Sequence, residues 1–193
     1  MPRKKSFDVE EAVRAAMDTF WNHGYERTSI DDLTEATGVK RQSLYNALGE
    51  KREMFVKALL KYDLEERRNA LAQVEATQSG RGAIEYLFTL LVEHCSKDKT
   101  RRGCFLVNTA LEAGHDNDVQ AIVSEAMRDF QKFFERSLKR GQDEREISRG
   151  VDAASVSSAL LSMYIGIRVL ARGKGQGAVI KDVANQAQRL LDG

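Results

Sequence analysis

The stretch TGVKRQSLYNAL, Thr37 to Leu48, gathers Lys40, Arg41, Gln42, Tyr45 and Asn46 directly after a glycine, in a chain that is acidic on either side. On a 3.6-residue repeat Leu44 and Leu48 share one edge, while Arg41, Gln42, Tyr45 and Asn46 form a contiguous opposite face. Gly49 closes this short helix. Upstream, Thr28 and Ser29 precede Asp31 and Asp32, a cap signature that opens a helix with Ile30, Leu33 and Ala36 inward before Gly38 supplies the turn. Further back, Asp8 and Glu11 are spaced as a capping box, and Val9, Ala12, Val13, Ala16, Met17, Phe20 and Trp21 form one stripe that ends at Gly24. Three short capped helices therefore fill the first fifty residues.

Two short helices joined by a glycine turn make the helix-turn-helix, whose second member enters the DNA major groove. The outward face has the chemistry for it. Arginine can bond guanine O6 and N7, glutamine and asparagine can pair with adenine N6 and N7, and a tyrosine hydroxyl can reach a phosphate oxygen. Lys51 and Arg52 add positive charge beside the free N–H groups of the next helix, as two phosphate anchors.

The rest of the chain predicts an all-α protein. Its only proline is Pro2, 42% of residues are hydrophobic and 31% charged, and no β alternation appears. Helices are expected from Lys51 to before Gln78, and over 83–94, 104–113, 119–139, 152–172 and 178–191. We divide the chain into a helix-turn-helix domain, 1–50, and a helical ligand-binding and dimerisation domain, 51–193. Thirty basic residues nearly cancel 29 acidic ones, so attraction for a polyanion must come from local placement of charge. The N-terminus carries no signal peptide pattern and no run of 18 apolar residues is expected, which predicts a cytoplasmic protein without a membrane partner.

Cys95 and Cys104 lack CxxC spacing, and together with His94 and His115 they follow no compact ligand pattern, so neither metal nor cofactor is expected. No Ser, Cys or carboxylate comes with a recognisable base, and His23 is isolated too, which argues against an enzyme.

Residues 28–55, TSIDDLTEATGVKRQSLYNALGEKREMF, resemble the DNA-binding signature of the TetR family of bacterial transcriptional regulators through Thr28, Ile30, Gly38, Val39, Leu44, Tyr45 and Lys51. The resemblance implies phosphate contacts from Thr28, Ser43, Tyr45 and Lys51, base reading by Arg41 and Gln42, and a lesser part for Asn46; Ser29 and Lys40 complete the expected DNA-binding set. The sequence departs from the family at Lys40, commonly a Ser or Thr cap, and at Ala47 and Leu48, where a ring-bearing pair is common. The basic arm Arg3 to Lys5 can reach along a duplex. The function implied is a ligand- or redox-responsive regulator, a repressor that binds a palindromic double-stranded operator as a homodimer and answers to a small-molecule inducer of unspecified identity. The competing reading is a helical small-molecule-binding or redox protein without specific DNA binding.

For the two-fold interface, the stripes Val156, Leu160, Met163, Ile167, Leu170 and Val179, Val183, Ala187, Leu190 suit a four-helix bundle. A ligand pocket is expected among Tyr86, Phe88, Leu91, Val92, Phe105, Asn108, Glu112, Phe130, Phe134 and Tyr164. Cys104 stands at an expected helix N-terminus beside Arg101 and Arg102, both of which favour a thiolate. Its Gly-Cys segment resembles that of a TetR subgroup that includes sensors of electrophiles and oxidants.

Overall fold

The computed structural model describes residues 7–112 and 116–193. Helix α1, Val9–His23, starts where Asp8 accepts from the Glu10 and Glu11 backbone N–H groups at 2.8 and 3.3 Å, and Gly24 stops it by donating to the Phe20 carbonyl. The reciprocal half of the expected capping box is not formed by Glu11. Helix α2, Ile30–Thr37, does have a reciprocal box: Ser29 Oγ accepts from the Asp32 N–H while the Asp32 carboxylate accepts from the Ser29 N–H at 2.7 Å. Gly38 turns the chain in the left-handed region, φ 65°, and α3, Arg41–Leu48, follows. Leu33, Leu44 and Leu48 close on Ala16, Met17 and Phe20 of α1, so the three helices share one core.

That core does not stop at residue 50. Helix α4, Lys51–Tyr62, adds Met54, Phe55, Ala58, Leu59 and Tyr62 to it, and so do Cys104 to Val107 and Val119, Val123 and Ala126. The expected division at 50/51 thus falls between two turns of chain and not between two cores.

The expected long helix after Lys51 forms, with one internal irregularity. A π turn, Asp63–Arg68, joins α4 to α5, Asn69–Thr77, with helical backbone angles throughout. The rod is about 40 Å long at a rise of ~1.5 Å per residue. Widening the turn brings residues four and five ahead of Asp63 to the same side, and its buried carboxylate accepts from both Arg67 Nε and Arg68 Nε. Arg67 and Arg68 continue to Asp129 and Glu125 on α8, at 3.2 and 3.3 Å, which fixes the rod to that helix.

Helix α6, Gly80–Lys97, begins three residues before the expected start because Ser79 accepts from the Gly82 N–H and Glu144 accepts from the Gly80 N–H at 2.7 Å. After α7, Phe105–Glu112, the 27-residue α8, Asn117–Asp143, runs through the centre and packs on α6, α7 and α9. Helices α9, Ala153–Leu170, and α10, Gly177–Arg189, complete a second core with Phe88, Phe133, Phe134, Leu160 and Ile167 at its middle. No strand occurs among the described residues. Helix α9 is 18 residues long and apolar enough to cross a membrane by length and composition alone, a test that core helices also pass, although four serines and Arg168 interrupt its apolar run. Only 28% of it is buried within the chain.

Candidate nucleic-acid interface and ligand cavity

Leu44 and Leu48 anchor α3 from below, which turns Lys40, Arg41, Gln42 and Asn46 out to solvent. Ser43, Tyr45 and Lys51 are half-buried at the margin. Nothing strong holds the outward side chains. Arg41 pairs with the exposed Asp31 at 2.7 Å, and Gln42 Nε2 donates to Asn46 Oδ1 at 3.1 Å. Exposed contacts of this kind contribute about 0–1 kcal/mol, so a base or phosphate can replace them. The α3 N-terminus has no side-chain cap and no acid in its first turn, leaving its N–H groups and dipole open to an anion. Behind α3, Lys57 Nζ donates to the Leu48 carbonyl at 2.6 Å and holds its C-terminal end. Lys51 Nζ sits 4.5 Å from the centre of the Tyr25 ring and 3.4 Å from the Glu26 carbonyl.

Three expected contacts are placed differently. Thr28 is 1% exposed and its hydroxyl donates to the Gly24 carbonyl at 2.6 Å, so it braces the α1–α2 turn and offers nothing to a phosphate. Ser29 is exposed but engaged as the α2 cap. Arg52 is engaged elsewhere: it reaches Asp116 and Asp118, each at 2.7 Å, and clamps the start of α4 to the start of α8. Hydrogen bonding from Arg52 holds the Asp116 carboxyl down at about 2. The Arg3 to Lys5 arm and His115 lie outside the described residues.

The expected pocket residues scatter. Leu91, Phe130 and Tyr164 do line a cavity of about 140 Å³. Phe88 and Phe134 stack on each other in the second core, 6.0 Å between centres, and Phe105 packs edge-on against Phe55 and Tyr62 in the first. Asn108 is buried with its amide donating to the Arg102 carbonyl at 2.7 Å, while Glu112 and Tyr86 are exposed and Val92 borders a separate groove. Helical periodicity marks an inward face without telling core from cavity, so the expected set divides between the two.

The cavity lies on the seam between the two cores. Trp21, Tyr62, Cys104 and Leu106 come from the first, and Leu71, Leu87, Leu91, Phe130 and Tyr164 from the second, with His94 and Arg168 at the edge. Trp21, the last residue of the first apolar stripe, and Tyr62 are its aromatic wall, ring centres 4.8 Å apart. Arg168 was missed altogether, though its place one helical turn after Tyr164 was a usable signal. Cys104 is 3% exposed and faces this cavity, with Tyr62 Oη donating to its Sγ at 3.4 Å; burial, then Cys104, pushes the Tyr62 phenol well up. Arg102, expected to favour its thiolate, instead stacks 3.6 Å from the centre of the Trp21 ring and pairs with Asp18 at 3.0 Å. No group of three His, Cys, Asp or Glu residues arranged to hold a metal occurs among the described residues.

On α9 the aliphatic stripe divides. Leu160 and Ile167 are buried within the chain, as is Ala187 of α10, whereas Val156, Met163, Leu170, Val183 and Leu190 are half-buried and Val179 is exposed. A second face of α9 made of Ser155, Ser158, Ala159, Ser162, Gly166 and Val169 remains open, and a Cβ added at Gly166 would meet nothing within 4 Å.

Residues 12–58 match the family model described as bacterial regulatory proteins, tetR family, and residues 80–187 match the Tetracyclin repressor-like C-terminal domain. The chain is 26% identical over 194 residues to the uncharacterized HTH-type transcriptional regulator YezE of Bacillus subtilis (strain 168), covering 100% of both. It is 27% identical over 190 residues to the HTH-type transcriptional repressor ComR of Escherichia coli (strain K12), covering 97% of this chain and 90% of that one. Among solved structures it resembles a cysteine mutant of the TetR family transcriptional regulator CifR complexed with 26bp double-strand operator DNA, at 27% identity and TM-score 0.82 over 98% of each chain. With one match over the helix-turn-helix and another over more than half of its length, this chain belongs to the TetR family of bacterial regulatory proteins.

Proposed function

We propose that the protein is a homodimeric transcriptional repressor, acting in the cytoplasm and not as an enzyme, that places α3 of each protomer in successive major grooves of a near-palindromic operator. The observation that carries this reading is the exposed Lys40, Arg41, Gln42 and Asn46 face on a helix fixed from behind by Leu44, Leu48 and Lys57. Arg41 and Gln42 read bases, while Ser43, Tyr45, Lys51 and the α3 N-terminus take phosphates. The open face of α9, with α10, pairs with its two-fold mate and sets the distance between the heads.

Release follows from the position of the cavity. Its wall includes Trp21 on α1 and Tyr62, Arg67 and Leu71 on the rod, so a bound molecule bears directly on the elements that carry α3. A ligand that fits only one rod position shifts the population away from the DNA-binding spacing. Alkylation of Cys104 from within the same cavity would act alike; operator release by N-ethylmaleimide should then vanish in Cys104→Ser and persist in Cys95→Ser.

The test is selection of bound fragments from the source genome, followed by titration at increasing salt. A repressor of this kind recovers its own promoter and loses affinity steeply as salt rises. Recovery of no preferred sequence would leave only a helical small-molecule-binding protein.

A further inference from the structure

Arg168 lines the cavity of about 140 Å³ without a counter-charge. Its Nε and Nη2 lie 3.3 and 3.0 Å from Tyr164 Oη, and among the described residues no carboxylate comes within ion-pair distance and nothing bonds Nη1. The neighbouring arginines differ: Arg67, in the same cavity, has Asp63 and Asp129, and Arg102, in the pocket next door, has Asp18. A guanidinium keeps its charge at any physiological pH, and removing it from water unpaired is costly. Arg168 also borders the more open pocket of about 570 Å³ next door, which shares Trp21, Glu66 and His94 with the smaller one. The cation therefore sits where the smaller, mostly apolar cavity meets the more open pocket.

We propose that Arg168 anchors a small monocarboxylate, whose acid group pairs with the free guanidinium edge while its ring or short chain fills the cavity between Trp21, Leu91 and Phe130. Size follows from volume. An apolar cavity of about 150 Å³ accepts one benzene ring, and this one measures about 140 Å³. Charge follows from the rim: a single planar fork matches the two oxygens of a carboxylate, whereas a phosphate dianion would call for further donors. That such an acid is the inducer rests on the regulator proposed above; that it binds does not.

Trp21, the only tryptophan, reports on the site. Full-length protein is titrated with benzoate, phenylacetate and hexanoate, and with benzyl alcohol as a neutral mimic, by tryptophan fluorescence and calorimetry. At least one acid should bind saturably, with the alcohol about tenfold weaker or worse, since a charge-assisted hydrogen bond is lost. Arg168→Met should reduce the acid to the level of the alcohol, and Arg168→Lys should recover part of the difference. Circular dichroism checks folding, and if Arg168→Met does not fold the acid-to-alcohol ratio of the native protein decides. The proposal is overturned if no acid binds up to its solubility limit, if acid and alcohol bind alike, or if Arg168→Met keeps the preference. Promoter binding measured alongside separates the two readings: DNA bound without acid binding removes this site alone, and acid bound without DNA binding removes the repressor alone.

Discussion

At the scale of single residues, the division of labour on α3 is testable by substitution. Gln42→Ala should lose about 1–3 kcal/mol of discrimination at one operator position, whereas Tyr45→Phe should weaken all sites equally; binding measured on a panel of single-base operator variants distinguishes them. Gly38 is a different kind of requirement. Its Cβ position is open, so only the left-handed φ of 65° opposes a side chain. Gly38→Ala should cost about 1–2 kcal/mol in urea unfolding, and Gly38→Asn clearly less. What was legible in the sequence at this scale is what local periodicity encodes: the outward face and its two leucine anchors. Thr28 and Arg52 were not legible, because one hydroxyl turns back to Gly24 and the other side chain meets acids 64 and 66 residues away.

At the scale of elements, every expected helix forms, with ends displaced where a cap lies outside the apolar repeat, as Ser79 does for α6. The π turn was invisible because one residue of extra register does not disturb a stripe read in windows. It nonetheless carries a buried ion pair: Asp63→Ala strands the buried Arg67 with Asp129 alone and should cost about 3 kcal/mol in chemical denaturation. A second joint lies where α6 crosses α8. A Cβ on Gly80 would stand 2.1 Å from the Gly141 nitrogen, so Gly80→Ala should lower the melting temperature markedly, by forcing the two backbones apart. The clamp between α4 and α8 depends on pH. The Asp116 carboxyl is lowered to about 2 in the fold, against about 3.9 in an unfolded chain. Its contribution is therefore complete above the unfolded value and disappears as pH falls through the folded one. Thermal melts of the native protein and Asp116→Asn should differ at pH 7 and converge as the pH approaches 2.

For the whole molecule, the arrangement of two cores around one seam joins the reading head to the cavity. Sequence legibility ends there, since the cavity is made by residues from helices far apart in the chain, each of which looks like ordinary core in its own stripe. Trp21 and Tyr62 belong to one core and Leu91 and Tyr164 to the other, and only their meeting creates space. The direct test of the central claim is hydroxyl-radical footprinting of the native protein and Arg41→Ala on its own promoter. The expected result is two symmetric protected segments about one helical turn apart, formed by the native dimer and lost or blurred in the variant. A footprint without two-fold symmetry, or one that Arg41→Ala leaves intact, would contradict it.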